Sequence, residues 1–98
     1  MTENEHLLTC LNEECLEVAK DADKALRFGL DDWPPDDPLC VTNRERIVNE
    51  LNDILGVARL LVSRGILPAD WQSENKQWAK GDRVLINMSR AKELGTVQ

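Results

Sequence analysis

The sequence predicts an all-α chain: an antiparallel helical hairpin that assembles with a second copy into a four-helix bundle, followed by a short C-terminal helical tail. Three observations predict it. Apolar residues recur at helical spacing over two long stretches. A segment rich in proline and aspartate separates those stretches. Val57 and Leu60 fall outside the main apolar arc of the second stretch, and a two-helix hairpin cannot bury both its faces, so at least a homodimer is expected. At 98 residues, with 42% hydrophobic content but one Phe, three Trp and no Tyr, the chain reads as a single small domain with an aliphatic core. Residues 5–65 form the hairpin and residues 66–98 the tail.

The first helix is expected over residues 5–28, where Leu7, Leu8, Leu11, Cys15, Val18, Ala19, Ala22, Ala25 and Leu26 share one arc about 120° wide. Gly29 supplies its stop, and Pro34, Pro35 and Pro38 keep the stretch from Leu30 to Val41 out of helix. That loop is either functional or a solvated connector. The second helix opens at Thr42, with Glu45 three residues on as a capping box. Its apolar arc runs through Ile47, Val48, Leu51, Ile54, Leu55, Ala58, Leu61 and Val62, and Gly65, Ile66 and Pro68 end it near Arg64. Beyond Pro68 the pattern suggests a short helix carrying Trp71 and Trp78. A last helix, capped by Asp82 and closed by Gly95, or else a short strand over Val84 to Ile86, would follow.

Composition excludes several classes of function. A net charge of −6 disfavours a nucleic-acid partner, whose backbone would be repelled. Cys10, Cys15 and Cys40 are odd in number and form no CxxC pair, which argues against a disulfide framework or a zinc site and fits a reducing cytoplasm. No apolar run approaches the roughly 20 residues that span a bilayer, and no signal peptide is apparent, so no membrane partner is expected. His6, the single histidine, has no ligand-spaced neighbours and reads as a surface residue.

Two carboxylate pairs carry the chemistry. Glu14 with Glu17, and Glu50 with Asp53, are each spaced to project from adjacent turns of one helix face. Glu14 lies about 20° outside the apolar arc of helix one and Glu50 about 20° outside that of helix two, at the seam where packed helices meet. Folding the hairpin antiparallel brings the pairs level. Carboxylates held that close repel one another unless a cation lies between them. A hard cation with oxygen ligands, Mg²⁺ with Mn²⁺ as a substitute, suits the set. Either pair alone would read as a solvated acidic surface.

The string Glu13-Glu14-Cys15-Leu16-Glu17, followed by Glu50-Leu51-Asn52-Asp53, resembles the EExxE and ExxD signature of the MazG-like, all-α nucleoside triphosphate pyrophosphohydrolases. The words Ala22-Asp23-Lys24-Ala25-Leu26-Arg27-Phe28-Gly29-Leu30 and Asn49-Glu50-Leu51-Asn52-Asp53-Ile54 look like those of phage and bacterial members, and the likeness covers about residues 6–65. The resemblance implies that Glu14, Glu17, Glu50 and Asp53 hold Mg²⁺, with Glu13 as a supporting acid. It also implies hydrolysis of nucleoside triphosphates, deoxynucleotides or non-standard house-cleaning substrates, to monophosphate and pyrophosphate, and assembly as a homodimer or homotetramer. The C-terminal third does not match the lysine- and asparagine-containing segment that some relatives use on the phosphates.

The residues support that chemistry independently, because a carboxylate-held metal neutralises a triphosphate and lowers the pKa of bound water. No Walker loop, nucleophile triad or dinucleotide glycine motif competes with it. Glu13 or Glu17 is the candidate for orienting or deprotonating the water. Lys24 and Arg46 are placed to touch phosphates, unless they are ordinary surface ion pairs. Trp33 is the candidate stacking face for a base, unless it packs the loop onto the hairpin. The rival reading is a non-catalytic acidic helical interaction protein, phage-derived, that occupies a partner's basic surface. A diiron carboxylate bundle is weaker, because its ExxH motifs are missing.

Overall fold

The computed structural model describes all 98 residues and is all-helical. It contains α1 (Glu3–Phe28), α2 (Asn43–Ser63) and α3 (Glu74–Glu93), and no strand. The chain supplies three helices, so the expected four-helix bundle is not present within it. The residues divide into two compact units, Met1–Pro68 and Ala69–Gln98.

In the first unit α1 and α2 form an antiparallel hairpin, tied at both ends. At the open end the Arg64 guanidinium meets the Glu3 carboxylate at 2.7 Å. At the loop end the Asn43 amide donates to the Gly29 carbonyl at 2.9 Å, and Asn43 is only 2% exposed. Local chemistry fixes the helix limits. Thr2 and Thr42 each accept a hydrogen bond from the backbone N–H three residues on, at 3.1 Å, satisfying a donor the helix cannot use. At the end of α2, Gly65 takes φ +72°, and N–H groups of Gly65 and Ile66 return to the carbonyls of Val62 and Leu61, the Schellman pattern.

The loop is built on Asp37, whose carboxylate accepts from the N–H groups of Leu39 at 2.9 Å and Val41 at 3.0 Å and from Arg46 at 2.8 Å. Those backbone donors, foremost Leu39, and the Arg46 guanidinium hold the Asp37 carboxyl below the ordinary carboxylate range against the opposing effect of burial. Cys40 adopts φ +54°, left-handed for a residue with a Cβ, inside this clasp. A second anchor joins Arg44 to Asp31 at 3.0 Å.

The core between the helices is narrow: the only buried apolar side chains are Ala58 and Leu61, the latter fully buried. Two helices can hide only the strips that face one another, and the predicted apolar arcs are wider than those strips. The remainder forms an exposed apolar stripe, Leu8, Ala22 and Leu26 on α1 and Val48, Leu51 and Leu55 on α2. By helix periodicity these residues lie on one broad side of the hairpin, and the carboxylates lie on the other. An open groove lined by Ala22, Leu26, Leu30 and Ile47 runs along the apolar side. Val57 is half-buried and Leu60 exposed, so the larger uncovered surface is the stripe rather than that pair.

The second unit differs from expectation. One helix, α3, runs where two helices, or a helix and a strand, were anticipated. It starts at Ser73, whose hydroxyl accepts from the Lys76 N–H at 3.2 Å, and it passes through Gly81 and Asp82 without interruption. A helix-interior glycine costs only about 1 kcal/mol relative to alanine, which the good helix formers around Gly81 absorb. Asp82 is therefore no cap. Trp78 is 74% exposed and no residue of α3 is buried. No helix is long and apolar enough to cross a membrane.

Candidate metal centre

Glu14 comes from the middle of α1, Glu50 and Asp53 from the middle of α2, and the antiparallel pairing brings them level. One carboxylate oxygen from each of the three lies within 4.8 Å of the others. Glu14 and Glu50 are half-buried at the seam, and Asp53 is exposed at its edge. This is the placement that the helical phases of Glu14 and Glu50 predict.

Oε2 of Glu50 is shut off from solvent and has no hydrogen-bond donor. The Glu14 carboxylate beside it, which a protonated Glu50 can hydrogen-bond, raises the Glu50 pKa most. Desolvation and the charges of Glu14, Asp53 and Asp21 add to that, and together they push it up to about 7. A carboxylate in these surroundings is relieved either by a proton, which lets it hydrogen-bond Glu14, or by a cation.

Asp21 was not anticipated, and it is the most buried acid of the chain at 6% exposure. It stands seven residues after Glu14, two turns along the same stripe of α1, and it has no ion-pair partner. The signal was available in that spacing. Asp21 has no acidic residue three positions away, and so it stood outside the paired pattern.

The remaining candidates are distributed unevenly. Glu17 and Glu13 are exposed on α1 and are not among the three converging carboxylates. Arg46 is engaged in the loop, donating to Asp37 and, at 3.3 Å, to the Val41 carbonyl, so a phosphate would have to compete with the loop clasp for it. Lys24 is half-buried with no ion-pair partner, one turn loopward of Asp21. Together with Trp33 it lines a cavity of about 300 Å³ at the loop end of the hairpin. Trp33 is 43% exposed, so it is available to a ligand as well as packed on the hairpin.

The donor set fits a divalent cation of the Mg²⁺ class: carboxylate oxygens only, from two helices, with an orphaned oxygen at the centre and an open side toward solvent for water or phosphate. It holds no nitrogen or sulfur ligand of the kind zinc or copper favours. No family model matches the chain, and no curated protein or solved structure matches it either.

Proposed function

We propose that the hairpin is a magnesium-dependent nucleoside triphosphate pyrophosphohydrolase that releases the monophosphate and pyrophosphate. The observation that carries this reading is the donorless Oε2 of Glu50, held beside Glu14 and Asp53 by the packing of two helices. The ordered EExxE and ExxD words, which resemble the MazG-like family, supply the reaction class.

In this reading Glu14, Glu50 and Asp53 hold the ion, and Glu17 completes the set from the next turn of α1. A bound Mg²⁺ would neutralise the triphosphate and make water a better nucleophile. Glu17, exposed one turn along α1 from Glu14, orients the attacking water and takes its proton, with Glu13 as the supporting acid. Water adds across the bond between the α- and β-phosphates, its oxygen staying with one product, and pyrophosphate leaves. Trp33, beside Lys24 in the loop-end cavity, stacks on the base.

Assembly belongs to the same proposal. The apolar stripe of Leu8, Leu26, Val48, Leu51 and Leu55 is of the kind a second hairpin covers, and two hairpins joined there make a four-helix bundle with the carboxylates outward.

Product analysis tests the reading. With Mg²⁺ or Mn²⁺, one or more of the common and modified triphosphates should yield monophosphate and pyrophosphate in equal amounts. Release of orthophosphate with a diphosphate, or no turnover of any of them, would refute it. A non-catalytic acidic interaction protein would show no turnover and no stabilisation by Mg²⁺.

A further inference from the structure

The cavity at the loop end of the hairpin is separate from the carboxylate cluster and has its own chemistry. Its walls include the rings of Phe28 and Trp33 and the prolines Pro34 and Pro35. At about 300 Å³ it sits at the small end of the range for small-molecule sites, which runs from roughly 300 to 1,000 Å³, and suits a single planar ring system. The walls are fixed. Arg27 covers one face of Phe28 at 5.3 Å, and the Asp32 carbonyl accepts from the Asn43 N–H at 2.9 Å, pinning the loop to the start of α2.

Two charged residues with no ion-pair partner are among those that line this otherwise apolar cavity, Lys24 from α1 and Asp32 from the loop. An ammonium donates and a carboxylate accepts at two oxygens, so these two side chains turned toward a ring in the cavity would suit one with acceptors on one edge and two adjacent N–H donors on another. Among the four common bases only guanine carries that pair of donors, at N1 and N2. Its O6 and N7 are the acceptors that lysine ordinarily reads. Adenine and cytosine place a ring acceptor beside their amino group, facing the carboxylate with a like lone pair, and uracil offers one donor only.

We infer that this cavity binds a guanine-type base, a purine with a 6-oxo and a 2-amino group, stacked on Trp33 and read by Asp32 and Lys24. That the base belongs to the triphosphate hydrolysed at the carboxylate cluster rests on the function proposed above; the binding itself does not. The cavity lies loopward of the cluster on the same side. Asn43 precedes Glu50 by seven residues, about 10 Å along α2 at 1.5 Å per residue, a span that a nucleotide's sugar and phosphates cover.

The experiment uses the full chain in EDTA with phosphate-free nucleosides, so its outcome is independent of metal and of hydrolysis. Calorimetric titration should give guanosine at least ~10-fold tighter binding than adenosine or uridine, with inosine, which lacks the 2-amino group, in between. Asp32→Asn should remove the preference for guanosine over inosine, and Trp33→Ala should weaken all nucleosides together. Equal binding of the four, binding of none, or a preference unchanged by Asp32→Asn would overturn the inference. The inosine comparison needs no variant and decides the matter if a substitution unfolds the loop. Guanosine binding without triphosphate hydrolysis would retire the proposed activity and leave the pocket, whereas hydrolysis without nucleoside discrimination would do the reverse.

Discussion

Glu14 and Glu50 face each other across the hairpin with oxygens within 4.8 Å, while Oε2 of Glu50 is hidden from water and has no donor. The Glu14 carboxylate discourages Glu50 from ionising, so a proton or a cation between them relieves the strain. That alternative links the site to both pH and metal.

The pH dependence follows in sign. Glu50 is raised from an ordinary 4.5 to about 7 in the folded chain, so between those values the folded state holds a proton that the unfolded state has lost. Stability from this group is full below about 4.5 and falls as pH rises through 7. In EDTA the melting temperature should therefore decline from pH 5 toward pH 8. Asp37, whose pKa is lowered, works oppositely and withdraws its contribution only under acid conditions. A melting temperature that rises steadily from pH 5 to pH 8 in EDTA would show that Glu50 is not strained.

Mg²⁺ should reverse the decline, because it takes the place of the proton. At about 100 times its dissociation constant a ligand that binds only the folded state adds roughly 2.7 kcal/mol, some 10 °C or more for a domain of this size. The gain should be larger at pH 8 than at pH 5, where protons compete for the same oxygens. Thermal melts with and without the ion at both pH values check this, and no shift at pH 8 would remove the metal from the reading.

Replacing Glu50 with Gln separates charge from shape. The amide fits the same space and gives Glu14 a donor, so the melting temperature in EDTA at pH 8 should rise. Both the Mg²⁺ response and any turnover should be lost. A variant with near-normal rate at saturating Mg²⁺ would mean that Glu50 does not hold the ion.

Local signals carried the parts of this fold that could be read in advance. Thr42, Gly29 and Gly65 act within a few residues of themselves, and each stands at a helix limit as the sequence predicts. Glu14 and Glu50 could be placed because their helical phase depends only on neighbouring apolar residues. Three features were hidden because they depend on distant partners or on weak balances. Asp21 becomes a buried acid only once α2 lies against it. The engagement of Arg46 by Asp37 requires the loop to fold back on α2. Gly81 and Asp82 look like a break and a cap, yet Ser73 starts the helix earlier and α3 continues through both. Burial was overestimated for the same reason, since an apolar arc says which residues avoid water and not whether one neighbour is wide enough to cover them.

Leu61 measures how much the narrow core matters. It is the fully buried leucine of the hairpin, and truncating such a residue to alanine usually costs 2–5 kcal/mol, about 2 kcal/mol even if the site collapses well. Leu61→Ala should lower the melting temperature by about 10 °C or more, read in EDTA to keep metal out of the comparison. A change of only a degree or two would place the principal stabilising surface elsewhere, on the apolar stripe.

That stripe is the last test. Leu26 is 85% exposed and Leu51 50% exposed, on the side of the hairpin away from the carboxylates, and burying such side chains is worth roughly 1.5–3 kcal/mol each. If a second copy covers them, Leu26→Asp with Leu51→Asp sets charges inside the interface without partners, and the assembly should separate. Neither residue is buried within the single chain, so the helical content of the separated chain should survive, which Val57, half-buried between its own helices, would not guarantee as a target. Light scattering decides between the outcomes. A wild-type mass of 11.1 kDa, that of one chain, would refute the four-helix assembly. A larger mass unchanged by the double substitution would move the interface to another surface.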